Sequence, residues 1–420
     1  HDAIAAVWRM ESAKIVAVIA RMVRDVGVAE ELAQDALVSA LERWPRDGLP
    51  DKPAAWLMAT AKNRALDHIR HAKLADQKHE EIGHDLEAQE ALIVPDFVDA
   101  LDAAREDEIG DDMLRLVFTA CHPVLAPEAR VALVLKLLAG LTTHEIARAY
   151  LVPEPTIAQR IVRAKRTLAE AHVPFELPKG DALAPRLASV LESIYLIYNE
   201  GYTATAGEKW QRTELSNEAL RLGRMLAELA ASEPQVHGLV ALMEIQSSRA
   251  AARVDAQGKP VLLMDQDRRR WDRLLIRRGL AAIERANAIG GERGPYLLQA
   301  EIAACHARAV TAQDTDWKRI AQLYGELAQV APSPVIELNR AVAVGMAFGP
   351  AEGLAIVDSI AGDKQLRHYQ WLPSVRGDLL AKLGRNDEAR AEFERAAQLA
   401  SNARERELLQ ERAAAMGPRH

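Results

Sequence analysis

Apolar residues recur along the first part of the chain at the three-and-four spacing of amphipathic helices. In AEELAQDALVSALERW (29–44), Ala29, Leu32, Ala33, Ala36, Leu37, Ala40, Leu41 and Trp44 form one stripe. Gln34, Asp35, Ser39 and Glu42 lie opposite it. The Pro/Gly stretch 45–53 ends this helix, and Asp51 and Pro53 suit the start of another. That helix, AAWLMATAKNRALDHIR (54–70), sets Trp56, Leu57, Ala59, Leu66 and Ile69 against a polar face of Lys62, Asn63, Arg64, Asp67 and Arg70. The apolar pattern returns at Met113, and Thr142 with Glu145 forms a Thr-x-x-Glu capping box before a further helix. Pro174, Pro178, Pro185 and Gly180 mark a boundary. From 186 to 420 the chain reads as helix after helix, broken at 199–207, 255–260, 290–295, 331–334, 347–350 and 361–363. The pattern predicts an all-α protein.

One repeat stands out near the end. RGDLLAKLGRNDEARAEFERAAQL (376–399) sets Gly377, Leu380, Gly384, Ala389, Phe393 and Ala396 at the small/large spacing of a tetratricopeptide repeat. Gly384 closes a first helix, the alanines let two helices approach, and Phe393 fills the gap. LNRAVAVGMAFGPAEGLAIV (338–357) carries a weaker copy.

Composition narrows the class. A chain of 420 residues exceeds one ordinary core and implies two or three domains. Hydrophobic residues make up 49%, which implies folded domains rather than disorder. Cys121 and Cys305 lie far apart with no CxxC, so neither a zinc site nor a disulfide framework is expected, nor any metal or cofactor. The longest apolar run, near Val131 to Leu138, is interrupted by Lys136 and is too short for a membrane span. No secretory signal is visible, and a cytoplasmic protein is expected.

Charge is uneven. The net charge is −7, which argues against indiscriminate nucleic-acid binding. Residues 62–78 nevertheless hold five Lys/Arg against two Asp, and residues 80–112 hold thirteen Asp/Glu against Arg105 alone. Such an acidic block between helical segments reads as a solvated linker.

Residues 140–168, GLTTHEIARAYLVPEPTIAQRIVRAKRTL, have the layout of a helix-turn-helix. Ile146, Ala147 and Tyr150 pack the first helix, Val152-Pro153 turns, and Ile157 and Ile161 pack the second. Ala147 is small where the helices cross. Thr156, Gln159, Arg160 and Arg163 face outward, and Lys165 and Arg166 add charge. Such groups hydrogen-bond base edges or phosphates, although a solvated face of an ordinary helical hairpin has the same composition. Lys62, Asn63, Arg64, Arg70 and His71 form a second cationic face. Two such faces flanking an acidic connector suggest a protein that grips DNA at two places.

The AEELAQDAL helix, the WLMATAKNRALDHIR helix, the acidic linker and the helix-turn-helix, in that order, resemble the bacterial extracytoplasmic-function (ECF) sigma factors over about residues 5–172. IYLIYNEGY (194–202), MDQDRRRWD (264–272), GPYLLQAEIAACHA (294–307) and SPVIELNRAVAV (333–344) resemble the subgroup with a TPR-like C-terminal extension. The resemblance implies a sigma region 2 domain (1–79), an acidic linker (80–112), a region 4 helix-turn-helix domain (113–177) and a helical-hairpin, TPR-like regulatory domain (178–420). It implies an alternative sigma factor that binds core RNA polymerase, through the β′ coiled coil and the β flap, and directs promoter recognition. Glu31, Gln34, Asp35, Val38 and Glu42 match the polymerase-docking surface. Lys62, Asn63, Arg64, Asp67, Arg70 and His71 match the reader of the −10 element, with Asn63 at the pocket for a flipped base. Thr156, Gln159, Arg160, Arg163, Lys165 and Arg166 match the reader of the −35 element. Ala158 and Pro155 depart from the Lys and Gly common there, and Leu151 stands where the turn often carries Gly. The acidic linker matches the segment that threads the RNA-exit region of polymerase. The extension would take a signalling protein or an intramolecular contact.

Other readings compete. Trp44 and Trp56 could stack bases, but their stripe positions favour core packing. Asp265, Asp267 and Asp272, with Arg268 and Trp271, could pair carboxylates, since Asp265 and Asp272 share a face if helical. No nucleophile, base or phosphate loop accompanies them, and His306 beside Cys305 has no partner the sequence can place. Salt-bridged surface is the expectation, and no enzyme. A helical-repeat adaptor and a conventional helix-turn-helix regulator are the remaining alternatives. The latter would bind duplex DNA alone as a symmetric dimer.

Overall fold

The computed structural model describes residues 2–80, 106–150, 152–202, 213–256, 260–400 and 402–417. Among these the elements are helical, and the β-type pairing is an isolated bridge between Val254 and Pro260. The chain forms two compact units, His1–Ile194 and Tyr195–His420.

The first unit contains α1 (Asp2–Val23), α2 (Val26–Asp47), α3 (Pro53–Glu80), α4 (Glu106–Ala120), α5 (Pro127–Leu137), α6 (Thr143–Tyr150), α7 (Glu154–Glu170) and the start of α8 (Leu183–Tyr202). Its centre is α1, whose run Ile15–Ala20 is buried throughout and packs on α2, α3 and α4. The turn from α1 to α2 is tight. Arg24 takes φ +57°, and the Asp25 carboxylate accepts from the Val28 N–H at 2.9 Å, capping α2. Alanines at 29, 33, 36 and 40 are fully buried, so α2 lies close to its neighbours.

Small residues also shift the buried face of α2 from the expected stripe. Leu41 is 38% exposed, while Ser39, expected on the polar face, is buried and donates to the Asp35 carbonyl. On α3 the expected core residue Leu66 is 44% exposed. The periodicity is helical in both cases, but Ala and Ser fit the closest approach and the larger leucines are displaced to its rim.

Most of the acidic stretch, 81–105, lies outside the described residues. Its last seven residues are not linker but the start of α4. Asp112 is fully buried and paired with Arg21 at 3.2 Å and Arg115 at 2.6 Å. A carboxylate that reads as solvated thus ties α4 to α1.

The start of α8 is built into the first unit. Arg186 donates to the Phe118 carbonyl at 2.7 Å, the Ser189 hydroxyl donates to the Cys121 carbonyl at 2.5 Å, and Arg130 pairs with Glu192 at 2.9 Å. The helix then continues without a break into the second unit.

The second unit continues with α9 (Thr213–Leu229), α10 (Pro234–Ser247), α11 (Arg273–Ile289), α12 (Pro295–Arg308), α13 (Trp317–Val330), α14 (Pro334–Phe348), α15 (Pro350–Ile360), α16 (Trp371–Lys382), α17 (Asn386–Leu399) and α18 (Ala403–Ala415). Helix α10 is buried from Val236 to Ile245 and packs against α9, α11 and α12. From α12 onward successive helices pack pairwise as hairpins. Two contacts explain the small residues of the repeat. A Cβ at Gly353 would lie 2.6 Å from the Ala341 carbonyl oxygen, where α15 crosses α14. One at Gly377 would lie 2.9 Å from the Phe393 ring, where α16 crosses α17. Gly384 closes α16 at φ +76°.

The proposed shared helical face of Asp265 and Asp272 does not form. Residues 263–265 and 268–270 are separate 3₁₀ turns, and Asp272 caps α11 by accepting from Leu274 and Leu275 N–H. Competition between Asp side chains and the backbone for N–H donors favours such caps over helix interiors. Asp267 pairs with Arg269 on the surface at 3.0 Å.

Candidate nucleic-acid interface

Helices α6 and α7 make the expected helix-turn-helix. The Thr142 hydroxyl accepts from the Glu145 N–H at 3.1 Å, and the Glu145 carboxylate accepts from the Thr142 N–H at 2.8 Å. This reciprocal box starts α6. Glu154, in the first turn of α7, meets His144 at 3.2 Å across the turn. Ile157, Ile161, Ala164 and Leu168 are buried beneath α7, and Ile146 and Ala147 are buried in α6. Leu151 lies outside the described residues.

That packing leaves a continuous open face. Gln159, Arg163 and Arg166 are exposed, and Thr156 and Arg160 half-buried. Arg166 pairs only loosely along the helix with Glu170, at 3.3 Å. Lys165 departs from this set. Its ammonium meets the carboxylate of Glu30 on α2, which is 6% exposed. Glu30 also pairs with Lys136 of α5 at 3.5 Å and accepts from the Gln34 amide. Lys165 is therefore turned into the first unit, a position two residues from Arg163 lying on nearly the opposite side of the helix.

On α3, Asn63, Asp67, Arg70 and His71 are exposed and Lys62 half-buried. Arg70 pairs with Asp67 at 3.4 Å. Arg64 is held against α2, donating to the Ser39 hydroxyl at 2.8 Å and the Asp35 carboxylate at 3.4 Å. The polar contacts expected of α2 thus divide. Glu31, Val38 and Glu42 stand exposed, Val38 at 50%, whereas Gln34 and Asp35 engage Glu30 and Arg64. Trp44 is buried and meets Trp56 edge to face at 5.4 Å, so Trp44 is a core residue.

Three groups central to this geometry were not singled out from sequence: Glu30, Lys136 and Asp112. Glu30 carried a signal, being a carboxylate adjacent to the buried stripe of α2, where an acid needs a partner. Asp112 was masked by the acidic run around it.

The nearby thiol is held protonated. Cys121 is fully buried, and burial pushes its pKa up to about 12. Its neighbour His122 is lowered to about 4 by desolvation and by the Arg186 charge. Among the described residues no group of three or more His, Cys, Asp or Glu could hold a metal ion, and no helix is long and apolar enough to cross a membrane.

Comparison with known proteins finds three family matches along the chain. The profile for sigma-70 region 2 matches residues 8–74 and that for sigma-70 region 4 matches 115–168. Residues 186–287 match a family of unknown function, DUF6596. An uncharacterized protein of Rhizobium meliloti (strain 1021) is 44% identical over 386 residues, covering 92% of this chain and 89% of the relative. The probable ECF RNA polymerase sigma factor SigI of Mycobacterium tuberculosis (strain ATCC 25618 / H37Rv) is 32% identical over 175 residues, 41% of this chain and 57% of the relative. SigK of Mycobacterium ulcerans (strain Agy99) is 28% identical over 172 residues, 40% of this chain and 84% of the relative. No solved structure matches. Both sigma-70 regions and the likeness to ECF sigma factors over about two-fifths of the chain support an alternative sigma factor that directs transcription initiation, with a long C-terminal extension.

Proposed function

We propose that this protein joins core RNA polymerase in the cytoplasm and delivers it to promoters whose two elements are read by α3 and α7. The observation that carries this reading is the coincidence of the two exposed cationic faces with the two sigma-region matches, 8–74 and 115–168. The outer face of α2, with Glu31, Gln34, Asp35, Val38 and Glu42, docks on the polymerase β′ coiled coil, and the region 4 module on the β flap. Lys62, Asn63, Arg64, Asp67, Arg70 and His71 face the melted −10 strand. Thr156, Gln159, Arg160, Arg163 and Arg166 face the −35 duplex. Lys165 joins them only when its pairing with Glu30 loosens. The functional division follows the two units, promoter reading by His1–Ile194 and modulation of it by Tyr195–His420. No catalysis is assigned.

Charge supports this division of labour. A chain of net charge −7 has little free affinity for phosphate backbones, so DNA contact depends on polymerase. The test separates the two surfaces. Val38→Asp puts a charge on an exposed apolar position, leaving stability within about 0.5 kcal/mol. It is expected to abolish co-elution with core polymerase. Arg163→Ala keeps that co-elution and lowers promoter binding by the holoenzyme by about 1–3 kcal/mol, roughly 5- to 150-fold. Equal loss of polymerase binding in both variants, or in neither, contradicts the assignment.

A further inference from the structure

Three stretches that the sigma reading leaves unused meet at one place in the second unit: NEGY (199–202), DQDRRRW (265–271) and ACHA (304–307). With the end of α10 and the turn after it, they gather Tyr202, Arg249, Arg253, Arg268, Trp271 and His306. The Arg249 guanidinium lies 5.9 Å from the Tyr202 ring centroid and 5.8 Å from that of Trp271. Arg253 lies 3.5 Å from the Tyr202 ring and Arg268 4.9 Å from the Trp271 ring. The two rings hold three cations together.

The roles of the three differ. Arg268 is 7% exposed and is a tie. It donates to the His306 and Ala309 carbonyls at 2.5 and 2.9 Å and to the Thr315 hydroxyl at 3.1 Å. Arg253, also 7% exposed, donates to the Tyr202 carbonyl. Arg249 is half-buried and donates to the Tyr202 hydroxyl. An Arg fork has five N–H donors, and among the described residues this hydroxyl is the acceptor Arg249 has. No carboxylate among them stands within ion-pair distance of Arg249 or Arg268. Asp314, the acid that acts on Arg268 from further off, is held by Thr311.

Burial sharpens the imbalance. The Trp271 indole N–H is fully buried in a residue 3% exposed and has no acceptor, and Arg268 Nε and His306 Nδ1 are likewise buried without a partner. A buried donor such as the Trp271 N–H or Arg268 Nε is costly unless an acceptor meets it, and an anion would also offset the neighbouring cations. His306 feels the imbalance, held down to about 3 by desolvation and by Arg249 and Arg268.

We propose that this cluster is a binding site for a small oxyanion, a carboxylate or phosphate group of a metabolite-sized ligand, with Arg249 as its principal contact. The planar fork of Arg249 suits either group bidentately. A small ligand is favoured over a docked protein surface because Arg253, Arg268 and Trp271 are each more than nine-tenths buried. The site belongs to the extension and does not depend on the transcription reading.

The experiment is calorimetric titration of the full chain, in a chloride-only buffer, with inorganic phosphate and separately with succinate. Saturable one-site binding of either probe is expected, and the probe that binds identifies the anion. Arg249→Gln is expected to weaken binding at least tenfold, and Arg249→Lys, which keeps charge but loses the fork, by less. Arg269→Ala, at an exposed residue paired with Asp267, is expected to leave binding unchanged. On saturation the His306 ring, followed by NMR, is expected to titrate at higher pH. Arg249→Lys carries the test if Arg249→Gln does not fold. Absence of saturable binding by both probes, or binding unaffected in both Arg249 variants, overturns the proposal.

Discussion

At the scale of single residues, the decisive feature of the first unit is Glu30. It is a carboxylate 6% exposed, met by two lysines from other helices. Removing one partner of such a set costs more than the set contributes, because the remaining charges stay buried. Glu30→Ala is expected to lower unfolding free energy by about 3 kcal/mol in urea titration. A double-mutant cycle with Lys165→Ala is expected to give a coupling of about 1–3 kcal/mol, and additive effects would contradict the pairing. His306 provides a second residue-level test. Its folded-state pKa lies near 3 against an ordinary 6.5, so the unfolded chain binds more protons between those values. Its contribution to stability is therefore complete above pH 6.5 and declines as pH falls toward 3. His306→Asn is expected to flatten the stability profile across that window, measured by denaturant titration at stepped pH.

At the scale of elements, helix existence and type were legible because the 3.6-residue period survives whichever side chains fill it. The capping box at Thr142 and Glu145 and the layout of α6 and α7 followed from local chemistry, as did the small/large pattern of the last hairpins. What was not legible is what depends on neighbours. Which side of α2 is deepest is set by α1 and α3, so Ser39 went in and Leu41 came out. Asp112 reads as solvated charge and Lys165 as a DNA contact, and only the fold supplies Arg21 and Glu30. The candidate site was legible where its residues share one helix face, Gln159 with Arg163, and illegible where the partner is remote. The repeat gives the sharpest element-level test. Gly353→Ala forces a methyl against the Ala341 carbonyl and the Gly345 Cα at 2.9 Å, both backbone atoms with little room to yield. A loss of about 2 kcal/mol is expected in thermal or urea unfolding, whereas Ala at Gly325, with nothing within 4 Å, is expected to cost nothing. Equal effects would show that the α14–α15 crossing is not close.

At the scale of the whole molecule, the first unit holds the two sigma modules, and α8 runs unbroken from it into the second. Cutting the chain near residue 177 would strip Arg186, Ser189 and Glu192 from their contacts with Phe118, Cys121 and Arg130. The role of the extension is therefore better probed by substitution in the full chain than by truncation there. The most direct test of the central claim is transcription in vitro with purified bacterial core polymerase, the full-length protein and a library of promoter fragments, with transcript starts mapped by sequencing. The account predicts transcripts from discrete starts that share two upstream elements, and their loss when Val38→Asp or Arg163→Ala protein replaces the wild type. Starts no different from those of core polymerase alone, with polymerase and protein each active in their own controls, would contradict it.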